Sequence, residues 1–174
     1  MIQKTLMIVL AIALAACGQS STDETKGAQA NATPQEPQSA AGDPCALVAD
    51  SSTTFDEPVT AHQVKMPNGT NACEWRRADG RICASVTVFG PGWNEVVDVP
   101  RNYGALVTSL GAFGSVQEFP GLGEEARIVD GSMGAQLAFR TTEAAVLVGG
   151  SCSSGSITNA ALAERVARQI VQRL

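Results

Sequence analysis

The leader at residues 1–16 decides how the rest of this chain must hold itself together. It has one basic residue, Lys4, an apolar run from Leu6 to Leu14, and the small residues Ala15 and Ala16 at its end. A charged start, a short apolar centre and small residues before a cut define a secretory signal peptide. The run is too short to cross a bilayer comfortably, and no stop-transfer pattern follows it. The mature protein is therefore expected to fold in an oxidising compartment, where cysteines pair.

The residue after the cut is itself a cysteine, and Leu14-Ala15-Ala16-Cys17 resembles the lipobox of bacterial lipoproteins. That resemblance implies a diacylglycerol thioether on Cys17, cleavage before it, and acylation of the new amino terminus. The membrane is then a partner, reached through the lipid. Gly18 follows, not the aspartate that often retains lipoproteins in the inner membrane. In a host with two membranes the resemblance points to the outer one, facing the periplasm.

With Cys17 lipidated, Cys45, Cys73, Cys83 and Cys152 remain. An even number in an exported chain reads as two disulfides, with three pairings open. A zinc site is the competing reading. It lacks a Cys-x-x-Cys pair, and His62, the single histidine, has no partner at ligand spacing. No metal or other cofactor is expected.

Residues 18–42 contain Gly, Ser, Ala, Gln, Thr and Pro but no large apolar side chain. Such a segment cannot bury enough surface to offset the entropy of ordering, so residues 17–42 are expected to form a disordered tether. As a flexible coil it spans about 28 Å end to end. Cleavage removes one lysine and no acid, leaving 11 basic against 17 acidic residues. An acidic chain repels phosphate backbones, which argues against nucleic acid as a partner.

Residues 43–174 carry the folding signals of a single α+β domain. Asp43 can cap a helix that Pro44 opens, expected from about 44 to 50. His62–Met66 reads as an edge strand. Residues 72–77 and 81–89 flank Asp79-Gly80, a hairpin signal. A two-residue turn there puts Cys73 and Cys83 on opposite faces, and a three-residue loop puts them on the same face. Tyr103, Leu106, Val107 and Leu110 make one face of a helix starting near Asn102, after Pro100 and ending at Gly111. Residues 126–129, 134–140 and 143–149 read as consecutive strands, with turns at Asp130-Gly131 and Thr141-Thr142. Leu162, Ala163, Val166, Ala167, Ile170, Val171 and Leu174 form the stripe of an amphipathic C-terminal helix, capped by Thr158 or Asn159. The expected fold is an antiparallel sheet with packed helices and two disulfides.

Three short motifs in this order, Asp43-Pro44-Cys45, Cys73-Glu74-Trp75 and Gly121-Leu122-Gly123-Glu124-Glu125-Ala126, resemble a group of small lipoproteins of unknown function best known from actinobacteria. The resemblance implies that the first two motif cysteines bond, Cys45 to Cys73. Cys83 and Cys152 are then left as a second pair.

Little in the sequence announces catalysis, and no enzyme activity is expected. His62 lacks a nucleophile motif, and there is no Gly-x-Ser-x-Gly. Glu124 and Glu125 are sequence neighbours, which seldom converge on one substrate, and read better as a turn or helix start. Arg76, Arg77 and Arg81, clustered at one turn of an acidic domain, form a candidate patch for an anionic partner, weighed against a solvated strand end. The expected function is that of a non-catalytic envelope lipoprotein binding a periplasmic protein or small ligand. The alternatives are an envelope-acting enzyme, its accessory subunit, or a lipid or small-molecule carrier.

Overall fold

Alternating burial along the strands builds one sheet that dominates the α+β fold. The computed structural model describes residues 42–93, 98–152 and 157–174, all within one compact unit, Gln38–Leu174. The signal peptide, Cys17 and the tether up to residue 41 lie outside the described residues. The strands are β1 (Thr60–Lys65), β2 (Asn71–Arg76), β3 (Ile82–Phe89), β4 (Gln117–Glu118), β5 (Glu125–Gly131), β6 (Gly134–Arg140) and β7 (Ala145–Gly150). Their order in the sheet is β1-β2-β3-β7-β6-β5-β4, with every neighbouring pair antiparallel. Two meanders, β1 to β3 and β4 to β7, are thus joined where β3 pairs with β7.

The three helices are α1 (Ser51–Thr54), α2 (Val99–Leu110) and α3 (Asn159–Val171), preceded by a 3-10 turn at Pro44–Leu47. The helix α3 lays Leu162, Ala163, Val166, Ala167 and Ile170 on one sheet face, where Trp75, Val86, Leu137, Phe139 and Val148 are fully buried. The same face takes Leu47 from the 3-10 turn and Phe55 after α1. The guanidinium of Arg173 donates to the Ala46 carbonyl at 3.0 Å, and Arg165 donates to the Thr54 carbonyl at 3.1 Å. These bonds clip α3 to the opening segment. The other sheet face receives α2, whose Val99, Tyr103, Leu106 and Leu110 pack on Val129, Ala138 and Ala145.

Local chemistry moved several element boundaries from their expected places. The opening helix stops after one 3-10 turn, because Asp50 is an N-cap: its carboxylate accepts from the Ser52 and Thr53 amides and starts α1. Pro100 lies inside the first turn of α2, where a missing N–H costs nothing, and Asp98 caps the helix by accepting from the Arg101 amide. The strand β5 runs through Gly131 to pair with Gly134, so the turn is Ser132-Met133, not Asp130-Gly131. The strand β7 starts at Ala145 because the Thr141 hydroxyl accepts from the Glu143 and Ala144 amides and holds them in the turn. Thr158 is the cap of α3, accepting from the Ala161 amide.

The hairpin corrects the two-residue-turn expectation. Arg77 N–H donates to the Arg81 carbonyl and Gly80 N–H to the Arg77 carbonyl, which closes a three-residue loop, Ala78-Asp79-Gly80. Gly80 sits at φ +84, a conformation that glycine adopts without a Cβ penalty. A bulge then skips Cys83: Arg76 faces Ile82 while Trp75 faces Ala84. Cys73 and Cys83 end in the same core, both fully buried. Cys45 is bonded to Cys73, with Cα atoms 5.0 Å apart, and Cys83 to Cys152, with Cα atoms 4.5 Å apart.

Candidate functional site

The β2–β3 hairpin lies at one end of the sheet, and the chain enters the domain at the other. Gly42 marks the entry: its carbonyl accepts from Asn71 Nδ2 at 3.1 Å and Gln63 Nε2 at 3.3 Å, and Asn71 is the residue of β2 farthest from the hairpin. The hairpin end gathers Arg76, Arg77 and Arg81, the start of β3, the end of β7 and the β5–β6 turn.

None of the three arginines is a bare cation. Arg76 donates to Glu74 at 2.5 Å, Arg77 pairs with Glu57, and Arg81 pairs with Asp79 at 2.8 Å. Hydrogen bonds from the Arg81 amide and then its side chain hold the Asp79 carboxyl below its ordinary range. Arg77 and Arg81, with Glu57, Pro58, Ala78 and Asp79, line an open groove of 330 Å³. Arg76 is not part of that lining. The local charge is balanced, so the groove offers both donors and acceptors in place of the purely cationic patch that the arginine run suggests. The Arg81–Asp79 pair is half-exposed or more on both sides and adds little stability.

On the other side of the β3 start, Ile82, Ser85, Met133, Gln136, Gly149 and Ser151 line a hollow of 220 Å³. Its apolar rim is exposed: Met133 is 77% accessible and Ile82 38%. The register explains the hollow. Ser85, Gly149 and Gln136 stand side by side across β3, β7 and β6, and the middle one has no side chain. This apolar contribution escaped the sequence reading. Met133 sits in a two-residue turn whose only signal was its flanking glycines.

The remaining candidates lie elsewhere. His62 is exposed on the edge strand β1, opposite Glu74. Glu124 and Glu125 both bind Arg140, the latter at 3.3 Å, so they close a turn onto β6. Gly123, at φ +60, lies so close to the Arg140 carbonyl that a Cβ there would clash, which accounts for this glycine without invoking a ligand. Glu57 is the residue that sequence reasoning missed altogether. It lies between Asp56 and Pro58 with no motif around it, yet it joins the Arg77 guanidinium to the Cys83 sulfur, which is 3.6 Å from Oε1. A scan against known protein families, a search of curated proteins and a search of solved structures each return no match to this chain.

Proposed function

We propose that this chain is a non-catalytic lipoprotein of the bacterial cell envelope that binds an envelope protein through the hairpin end of its sheet. In this reading the signal peptide 1–16 exports it, the lipid on Cys17 holds it to the outer membrane facing the periplasm, and residues 18–42 give it reach. The observation that carries the reading is the company at the hairpin end. An exposed apolar pair, Ile82 and Met133, adjoins a charge-balanced groove built by Arg77, Arg81, Glu57 and Asp79. Exposed apolar anchors with polar, arginine-bearing surface nearby are common at protein interfaces. A protein is favoured over a small ligand, because both recesses are open and one of them, at 220 Å³, falls below the size that encloses a ligand.

The test is site-specific photocrosslinking in the envelope of intact cells. A photoreactive residue at Met133 or Arg81 is expected to trap the same partner, and one at Lys65, on the entry end, to trap none. Trapping from Lys65 alone would place the interface at the wrong end. Native mass spectrometry of the purified mature chain showing a bound small molecule would replace the protein partner by a ligand. Cys17→Ala is expected to move the protein out of the membrane fraction, and retention there would remove the lipid anchor from the reading.

A further inference from the structure

Glu57, Cys83 and Cys152 place one ligand atom each within 4.8 Å of one another, the only such group of three among the described residues. We propose that Cys83–Cys152 is the reducible disulfide of this domain, and that its dithiol form, with Glu57, binds a thiophilic divalent cation such as Zn²⁺. The inference is independent of the partner that the hairpin end takes.

Three features of the geometry support it. First, Glu57 Oε1 faces the Cys83 sulfur at 3.6 Å, a contact without a proton while the disulfide is closed. Opening the bond supplies an S–H that can donate to that oxygen, so reduction gains a hydrogen bond at this pair. Second, two ligands of a tetrahedral zinc, one sulfur and one carboxylate oxygen, stand about 3.6 Å apart by the usual bond lengths. Glu57 and Cys83 already keep that separation. The two sulfurs need only part to about 3.8 Å to complete a three-ligand set, leaving the fourth position for water. Third, the charges close. Two thiolates and a carboxylate around a dication leave one negative charge, and Arg77 is ion-paired with Glu57. Arg77 would thus orient the carboxylate ligand and neutralise the site.

Local spacing hid this cluster. Cys83 and Cys152 are 69 residues apart, and Glu57 comes from the loop after α1. The fold assembles them because β3 starts where β7 ends. The steps balance. An external dithiol reduces the Cys83–Cys152 bond, giving up two electrons and two protons to it and becoming a disulfide itself, and leaves two thiols. Binding of the cation then releases the two thiol protons.

The experiment uses the mature chain with its disulfides intact. A limiting amount of a water-soluble phosphine is added without oxygen, newly formed thiols are alkylated, and the labelled peptides are read by mass spectrometry. Cys83 and Cys152 are expected to be labelled before Cys45 and Cys73. Stoichiometric Zn²⁺ added before the alkylating agent is expected to protect Cys83 and Cys152, and Co²⁺ in its place to give a thiolate-to-cobalt absorption band. Glu57→Gln is expected to weaken the cation by about tenfold or more. Earlier labelling of Cys45 and Cys73, a failure of Zn²⁺ to protect, or unchanged affinity in Glu57→Gln would each overturn the proposal. The labelling order and the zinc protection need no variant, so they decide the matter even where a substitution upsets folding.

Discussion

The two faces of the sheet are built to different standards. One is covered by α3, the 3-10 turn and α1, and both disulfides join its core. The other has α2 as its one helix among the described residues, laid over β5 to β7. Their buried polar groups show the contrast best. Under α3, Thr54 is fully buried, and its hydroxyl donates to the Asp50 carbonyl at 2.7 Å and accepts from Gln169 Nε2 at 2.5 Å. On α2, the Tyr103 hydroxyl and the Asn102 amide nitrogen are buried with no partner among the described residues, against one such atom, Asn159 Oδ1, at the start of α3. A buried polar group without a partner costs about 1–3 kcal/mol. The α3 face thus has the larger core, both disulfides and fewer unpartnered buried groups.

Large-to-small substitutions should expose that difference most strongly. Phe139, fully buried beneath α3, is expected to cost about 4 kcal/mol when changed to Ala, by lost transfer energy and the cavity left behind. Leu106, in the α2 cluster, is 9% accessible, and Leu106→Ala is expected to cost about 2 kcal/mol. Denaturant melts of the two variants measure both. Equal losses would mean that the faces share the load and that the contrast is one of composition only.

How much of this was legible beforehand follows the range of the contacts involved. The C-terminal helix was readable because its stripe depends on a spacing of three and four residues, and every contact that defines the stripe is local. The β5, β6 and β7 strands were readable from alternation alone, with ends shifted by Gly131 and Thr141. The hairpin was found, but its loop was not. Nothing in Ala78-Asp79-Gly80 distinguishes a two-residue turn from a three-residue one, and it is the longer loop that leaves Cys83 in the same core as Cys73. β4 gave no signal, since Gln117 and Glu118 are two exposed polar residues on an edge. The site was half visible. Arg76, Arg77 and Arg81 announced themselves as a run, whereas the carboxylates that neutralise them come from as far away as Glu57. Contacts across 20 or more residues leave no mark in spacing.

Helix caps give a finer measure of the same contrast. Thr158 holds α3 by accepting from the Ala161 amide at 3.1 Å, and Asp98 holds α2 by accepting from the Arg101 amide at 2.9 Å. Each cap satisfies one orphan amide, and replacing either by Ala is expected to cost about 1 to 2 kcal/mol. The consequences should differ in kind. Loss of the α3 cap loosens the helix on which the larger core depends, so the global melting midpoint should fall. Loss of the α2 cap should instead appear first as faster hydrogen exchange in residues 99–110, with a smaller shift of the midpoint. A global loss of the same size from Asp98→Ala would show α2 to be integral to the cooperative unit.

The smallest expected effect has the opposite sign. Tyr103 is 7% accessible, and burial pushes its phenol above the ordinary range near 10. Folding therefore favours the protonated phenol. The unfolded chain, with an ordinary tyrosine, begins to lose its proton near pH 10 while the folded chain keeps it. The stabilising difference is complete below pH 10 when measured against the ionised state, and it is lost as pH rises through the higher folded value. At neutral pH the phenol is uncharged in both states, and what remains is the cost of a hydroxyl with no partner. Tyr103→Phe removes that hydroxyl and keeps the ring against Val129 and Ala138. It is expected to raise stability at pH 7 by about 1 kcal/mol and to flatten the loss of stability above pH 10. Tyr103 is the chain's single tyrosine, so an ultraviolet titration of the wild type reports this group alone. A titration at the ordinary value, or a variant less stable than the wild type, would mean that the hydroxyl is already satisfied by bound water. The α2 face would then be as completely built as the α3 face.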